Sequence, residues 1–326
     1  MNNVEKAPSY KKDPYLSVET KKGLDVLNSG DPVETLAKDA ARKVLVDAQA
    51  SIKVDLSGIE ESEKIIEVEG FKIKLNVIRP KGEKSKLPVF IFIHGGGWIL
   101  GDYPTHKRLV RDLVVESGCA SVFVNYTPSP EAHYPQAINE IYAATKWVAE
   151  HGDEINVDGK NLAVAGNSVG GNMSIVTGLM AKEKGGPKIK LQLLLWPVGD
   201  DQFDTDSYIK YGEERFLTTP LMKWMFDQYT TDITKRKEIY ISPSYASIEQ
   251  LKGLPPTVIQ VAENDILRDG AETLGRKLDE AGVDVTTIRY NGVIHDFGML
   301  NIYATIPQTR TLIINSAALL KHYLNK

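Results

Sequence analysis

Read by the spacing of its apolar and polar positions, the chain changes character at about residue 58. Ahead of that point, apolar residues recur at helical spacing over residues 18–28 and 33–50. The two stretches are separated by Ser29-Gly30-Asp31-Pro32, a stop followed by a proline restart. No strand signal appears there. Residues 65–68 and 72–78 alternate apolar with polar around Glu69-Gly70 and predict an antiparallel hairpin. Val89-Phe90-Ile91-Phe92-Ile93 is continuously apolar, as a strand covered on both faces requires. From there the period switches repeatedly. Helices are predicted at 107–117, 138–151, 173 to about 184, 268–280 and 306–324, and strands at 120–124, 162–165, 191–195, 257–262 and 285–290. Such alternation predicts an α/β class, with a mostly parallel central sheet and helices on both faces.

One segment breaks the rhythm. Residues 200–241 are charged and aromatic, with helix signals at 219–229 and no strand. An insertion between two core strands is a natural lid over the C-terminal edge of a sheet, and the two N-terminal amphipathic helices also need a surface to lie against. The expected organisation is a single structural unit in four spans. These are N-terminal cap helices (1–58), a first part of the core (59–199), a cap insertion (200–241) and the rest of the core (242–326). No internal repeat, low-complexity tract or separating linker is present.

Composition narrows the function. With 326 residues, 42% apolar and 25% charged, the chain can bury a sizeable core. The net charge is −4, with both signs interspersed and no basic block, which argues against nucleic acid and anionic membranes as partners. The single cysteine, Cys119, lies beside an apolar run and reads as a buried thiol; it allows no internal disulfide and no cysteine metal cluster. The first residues carry no apolar signal region and no run approaches membrane-spanning length, so the chain reads as cytoplasmic. Neither the Gly-x-x-x-x-Gly-Lys nor the Gly-x-Gly-x-x-Gly pattern occurs, and no histidines pair at metal-ligand spacing. No cofactor or metal is expected.

Candidate chemistry centres on Leu162-Ala163-Val164-Ala165-Gly166-Asn167-Ser168-Val169-Gly170-Gly171, where an apolar strand meets Gly166-x-Ser168-x-Gly170 and a helix follows. That order suits a nucleophile elbow, in which the residues two before and two after the serine must be almost without side chain. Taken alone the pattern is weak, and a tight strand-helix turn with a capping serine is the alternative. Three further signals stand after strands. Ile93-His94-Gly95-Gly96-Gly97-Trp98 is a loop free of bulk, able to turn backbone N–H groups toward a carbonyl oxygen, with the N–H of Val169 adding another. Asp265 follows the strand 257–262 and is preferred as the acid over Asp269, whose alternative role is to cap or charge the next helix. Glu263 lies too close to the strand. His295 follows the strand 285–290 and is the one histidine in a loop after the acid. His94 is expected to order the glycine loop, and His106, His133, His151 and His322 read as surface or turn residues. Ser168, Asp265 and His295 thus run in the order nucleophile, acid, base.

With those residues in view, the chain resembles the hormone-sensitive-lipase-like carboxylesterases of the α/β-hydrolase superfamily, marked by His-Gly-Gly-Gly and Gly-Asp-Ser-Ala-Gly-Gly. The likeness runs from about residue 71 to the C-terminus. It includes Ser129-Pro130-Glu131-Ala132-His133-Tyr134-Pro135, Leu254-Pro255-Pro256-Thr257 and Asp265-Ile266-Leu267-Arg268-Asp269. The resemblance implies an α/β-hydrolase fold with a helical cap and a Ser168, Asp265, His295 triad. It implies an oxyanion hole from the N–H groups of Gly96, Gly97 and Val169, and a homodimer, although no motif shows one. The implied activity is hydrolysis of small, short-chain acyl esters through an acyl-enzyme; an amidase or deacetylase, or a non-catalytic ligand receptor, are the alternatives. Trp98, Phe216, Trp224 and Phe297 are candidate pocket walls, with core or cap packing the alternative for each. Three positions depart from the pattern: Asn167 replaces an acidic residue, Val169 an alanine and Asp296 a glycine. A β-branched Val169 would narrow the acyl side. A carboxylate at 296, if turned toward the imidazole, would raise the pKa of the base.

Overall fold

The structure, a computed structural model, describes residues 4–325; the first three residues of the expected N-terminal span and Lys326 lie outside them. Eight strands form one sheet in the order β1-β2-β4-β3-β5-β6-β7-β8. The hairpin strands β1 (Ile59–Val68) and β2 (Phe71–Pro80) pair antiparallel, and β2 pairs antiparallel with β4 (Ala120–Asn125). Every later neighbour is parallel: β3 (Leu87–Ile93), β5 (Val157–Asn167), β6 (Gln192–Leu195), β7 (Thr257–Asn264) and β8 (Val285–Ile294). The hairpin is longer than its alternating residues predict. Its turn places Glu69 at φ 51° and Gly70 at φ 84°, and two successive left-handed residues match the twist of the flanking strands.

The continuously apolar β3 is central and wholly buried from Val89 to Ile93. Helices α3 (Tyr103–Ser117) and α10 (Pro307–Leu324) pack together on one face. On the other face, α4 (Gln136–His151), α5 (Val169–Lys184) and α9 (Arg268–Glu280) cover the sheet, with Leu179 of α5 and Leu274 and Leu278 of α9 sharing one apolar cluster with β6 and β7. No helix among the described residues is long and apolar enough to cross a membrane.

Helix α1 (Val18–Leu27) forms as predicted, with Ser17 accepting from the Thr20 N–H as its N-cap. The expected helix over 33–50 is broken. Val33–Thr35 make a single 3₁₀ turn, Leu36 and Ala37 are extended, and α2 begins at Lys38 and ends at Ala50. The reason is tertiary: Val33 and Leu36 anchor separately against the core, and the 3₁₀ turn packs on α7 (Thr219–Tyr229) of the insertion. The insertion also holds α6 (Asp206–Tyr211), which its sequence did not announce; the short α8 (Ile248–Leu251) follows it. Arg215 reaches from the insertion to Asp13 in an ion pair of 2.8 Å that is buried at both ends, and to the Pro8 carbonyl at 2.8 Å.

Candidate active site

The turn at the end of β5 carries the local strain that its glycines foretell. Ser168 has φ 55° and ψ −123°, a conformation L-residues seldom adopt, and α5 starts at the very next residue. A Cβ on Gly170 would lie 2.0 Å from the Ile93 carbonyl oxygen, and one on Gly166 2.4 Å from Gly170 itself, so neither position tolerates a side chain. Helix α5 begins four residues ahead of its predicted start and puts its N-terminus, the positive end of its dipole, behind the serine.

The three sequence candidates meet. His295 Nε2 is 3.0 Å from Ser168 Oγ, and His295 Nδ1 is 2.7 Å from Asp265 Oδ2. All three side chains are buried, and Asp265 Oδ1 accepts the Leu267 N–H at 2.9 Å, which fixes the carboxylate plane. Burial pulls the His295 pKa down, but the carboxylates of Asp265 and Asp296 more than offset it, and the net shift is upward. Asp269 is not in the group. It is the acidic residue in the first turn of α9, as its alternative reading had it; it pairs with Arg268 and also accepts the Ser207 N–H in the first turn of α6 at 2.7 Å.

The glycine loop stands beside this group. Gly96 (φ 103°) and Gly97 (φ 63°) adopt left-handed backbone. Among the described residues the N–H groups of Gly96, Gly97 and Val169 have no hydrogen-bond partner. A Cβ on Gly97 would fall 2.1 Å from Met225 Sδ, so α7 lies directly on the loop. His94 orders the loop as expected: its Nδ1 lies 2.8 Å from the Gly95 carbonyl oxygen, and its ring stacks on Tyr126 at 4.2 Å. Burial pushes its pKa down to about 4, keeping it neutral. His106 corrects the surface reading. It is fully buried in α3 with its ring 5.4 Å from that of His94, and burial pushes its pKa down to about 3.

The four aromatic candidates differ in burial. Trp98 and Phe297 are fully buried: Trp98 stacks on Tyr229 at 4.2 Å, and Phe297 lies against Trp196 and Tyr290. Phe216 and Trp224 are half-buried against the core. Two of the three departures from the motif, Asn167 and Asp296, meet beside the histidine together with Trp196, which the motifs did not single out. Asp296 Oδ1 accepts from Trp196 Nε1 at 2.6 Å and from Asn167 Nδ2 at 2.9 Å, while Asn167 Oδ1 accepts the Gly95 N–H at 3.0 Å. Among the described residues no group of three or more metal-ligating side chains could hold an ion.

A family model described as the alpha/beta hydrolase fold matches residues 90–299, the span from β3 past the histidine. The chain belongs to this family. Within it, the chain is similar to a thermostable esterase of known structure from Pseudomonas putida ECU1011. The two are 56% identical, with 96% of this chain and 98% of the other covered and a TM-score of 0.94. A carboxylesterase of Mycobacterium tuberculosis, NlhH, is 31% identical over 78% of this chain and 79% of its own length. An ethyl acetate hydrolase of Pseudomonas putida is 28% identical over 82% of this chain and 85% of its own.

Proposed function

We propose that this α/β-hydrolase cleaves short-chain acyl esters, with Ser168 as nucleophile, His295 as general base and then acid, and Asp265 as the group that orients the imidazole. The protein is a carboxylic ester hydrolase. The observation that carries the reading is the unbroken Ser168–His295–Asp265 relay beside three unpaired backbone N–H groups. His295 Nε2 takes the hydroxyl proton as Oγ attacks the ester carbonyl. Asp265 holds the Nδ1–H tautomer and stabilises the imidazolium. The N–H groups of Gly96, Gly97 and Val169 receive the oxygen that becomes anionic, at a helix N-terminus that favours negative charge. The imidazolium then returns the proton to the departing alcohol, and water, activated in the same way, releases the acid from the acyl-serine. Val169 supports the short-chain preference, because its branched side chain is buried beside the nucleophile. The similarity to a protein named ethyl acetate hydrolase supports it too.

The test is steady-state hydrolysis of nitrophenyl esters from acetyl to decanoyl, with Ser168→Ala measured alongside. Turnover should peak at the short chains and fall by roughly a millionfold in the variant. A wild-type protein inert on every ester, or a variant that keeps its rate, sinks the proposal.

A further inference from the structure

We propose that Asp296 is a positioning residue of this site: its buried carboxylate faces the proton-carrying nitrogen of His295 and ties the oxyanion loop to the nucleophile turn through Asn167. The inference rests on the esterase reading and assigns one more residue to the same chemistry.

The geometry is specific. Both hydrogen bonds to the carboxylate, from Trp196 Nε1 and Asn167 Nδ2, fall on Oδ1. Oδ2 is turned instead to His295 Nε2, 3.8 Å away, which is the nitrogen that also lies 3.0 Å from Ser168 Oγ. At that distance no hydrogen bond forms, so Asp296 does not compete with the serine for the proton; it acts through its field. Both donors are N–H groups, and the residue they hold is only 4% exposed. The backbone pays for this placement: Asp296 sits at φ 59°, in the left-handed region, where a side chain persists only when its surroundings hold it.

Two carboxylates face one imidazole, Asp265 at Nδ1 and Asp296 near Nε2. From α6, Tyr208 also approaches Asp265, but burial raises its phenol pKa far enough that it stays neutral. A second carboxylate strengthens the base for the attack and makes the imidazolium a weaker acid, and it moves the acid limb of the activity profile to higher pH. The tie is separate from the charge. The Asn167 amide gives one hydrogen to Asp296 and takes the Gly95 N–H on its oxygen, so the loop before Gly96 and the loop after His295 are fixed to the residue that precedes the nucleophile.

Two variants separate charge from tie. In Asp296→Asn the amide oxygen keeps both donors while the charge is gone; in Asp296→Ala both are lost. We expect the acid limb of kcat/KM to move to lower pH in both. One pH unit below the wild-type midpoint, activity relative to each variant's own plateau should rise more than about threefold. Plateau kcat should fall several-fold in Asp296→Asn and about tenfold further in Asp296→Ala, with KM little changed. The His295 imidazole, followed by NMR, should titrate at lower pH in Asp296→Asn than in the wild type. An unmoved limb together with an unmoved His295 titration in Asp296→Asn overturns the proposal. The NMR readout needs no turnover, so a wild type inactive on esters would sink the esterase reading while the role of Asp296 is still decided.

Discussion

His94 and His106 are two fully buried imidazoles whose rings lie 5.4 Å apart beneath the oxyanion loop, and they make the fold sensitive to mild acid. Desolvation is the main cause of both depressed values, and the His94 ring also disfavours a charge on His106. In the unfolded chain both should titrate near 6.5. A folded pKa below the unfolded one means that, below about pH 6.5, the unfolded state binds more protons and stability falls with pH. At about pH 5 each histidine costs about 1.5 pH units at ~1.4 kcal/mol per unit, about 2 kcal/mol each and about 4 for the pair. His295 has the opposite sign, since its folded pKa is raised, so its stabilising contribution is complete in acid and lost as pH rises. The perturbation that isolates the pair is His106→Phe. Phe92 and Phe123 already flank the ring at 6.3 Å each, and His106 Nε2 is a buried nitrogen without a partner among the described residues, so an apolar ring fits. Urea unfolding followed by tryptophan fluorescence at about pH 7.5 and pH 5 should show the variant losing about 2 kcal/mol less than the wild type between the two conditions. Equal losses in the two proteins would refute the argument, because His295 and the carboxylates are common to both and cancel.

Two further outcomes test the site. Asp265→Asn should leave the fold unchanged by circular dichroism yet lower kcat about 10⁴-fold, since an amide at that position selects the wrong tautomer of His295; a loss below about tenfold would mean that Asp265 does not orient the base. Gly97→Ala should lower kcat by about 10²-fold or more, because its Cβ would fall 2.1 Å from Met225 Sδ at a backbone φ of 63°. Adding Met225→Ala removes the clash but not the strain and should restore only part of the rate. Full activity in Gly97→Ala alone would remove this N–H from the oxyanion hole.

Much of this architecture was legible because the strong signals are local. The run Val89 to Ile93 read as a covered strand and is one, and the glycines around Ser168 reported a close approach of backbones that the structure shows as contacts of 2.0 Å and 2.4 Å for a Cβ added at Gly170 and Gly166. Where the reading fell short, partners distant in sequence decided the outcome. Helix α3 begins ahead of its apolar stripe because Asp102 and Thr105 form a capping box with a proline in the first turn, a signal present in the sequence but polar. His106 shares the spacing of Leu109, Val110 and Leu113 and belongs to the buried face of that helix, where a polar residue in an apolar stripe reads ambiguously. The three departures from the family motif could each be seen, but the contact between two of them could not: Asn167 and Asp296 lie 129 positions apart and meet only once β5 and β8 have taken their places in the sheet.

The second N-terminal helix, α2, is tied into the loops that carry the site. A base carried on a loop needs that loop's backbone groups satisfied, or the loop will wander and the 3.0 Å contact with the serine will not persist. The segment after His295 has buried carbonyls at Gly298 and Met299, and they are met from two sides. Arg108 of α3 donates to both, at 2.6 and 2.8 Å, and Gln49, at the end of α2, donates to Met299 at 3.1 Å and to the Thr105 carbonyl at 2.6 Å. Gln49 also accepts the Asn301 N–H at 2.8 Å, so one buried amide spans α2, α3 and the histidine loop. Farther along α2, Arg42 and Lys38 hold Glu131, and Arg42 also reaches the Ile99 and Ser129 carbonyls. Helix α2 is therefore fastened at one end to the loop of the base and at the other to the loop that follows the oxyanion glycines. What reads in the sequence as an amphipathic segment seeking a surface is, by its hydrogen bonds, part of the frame that keeps His295 and the glycine loop in register with Ser168.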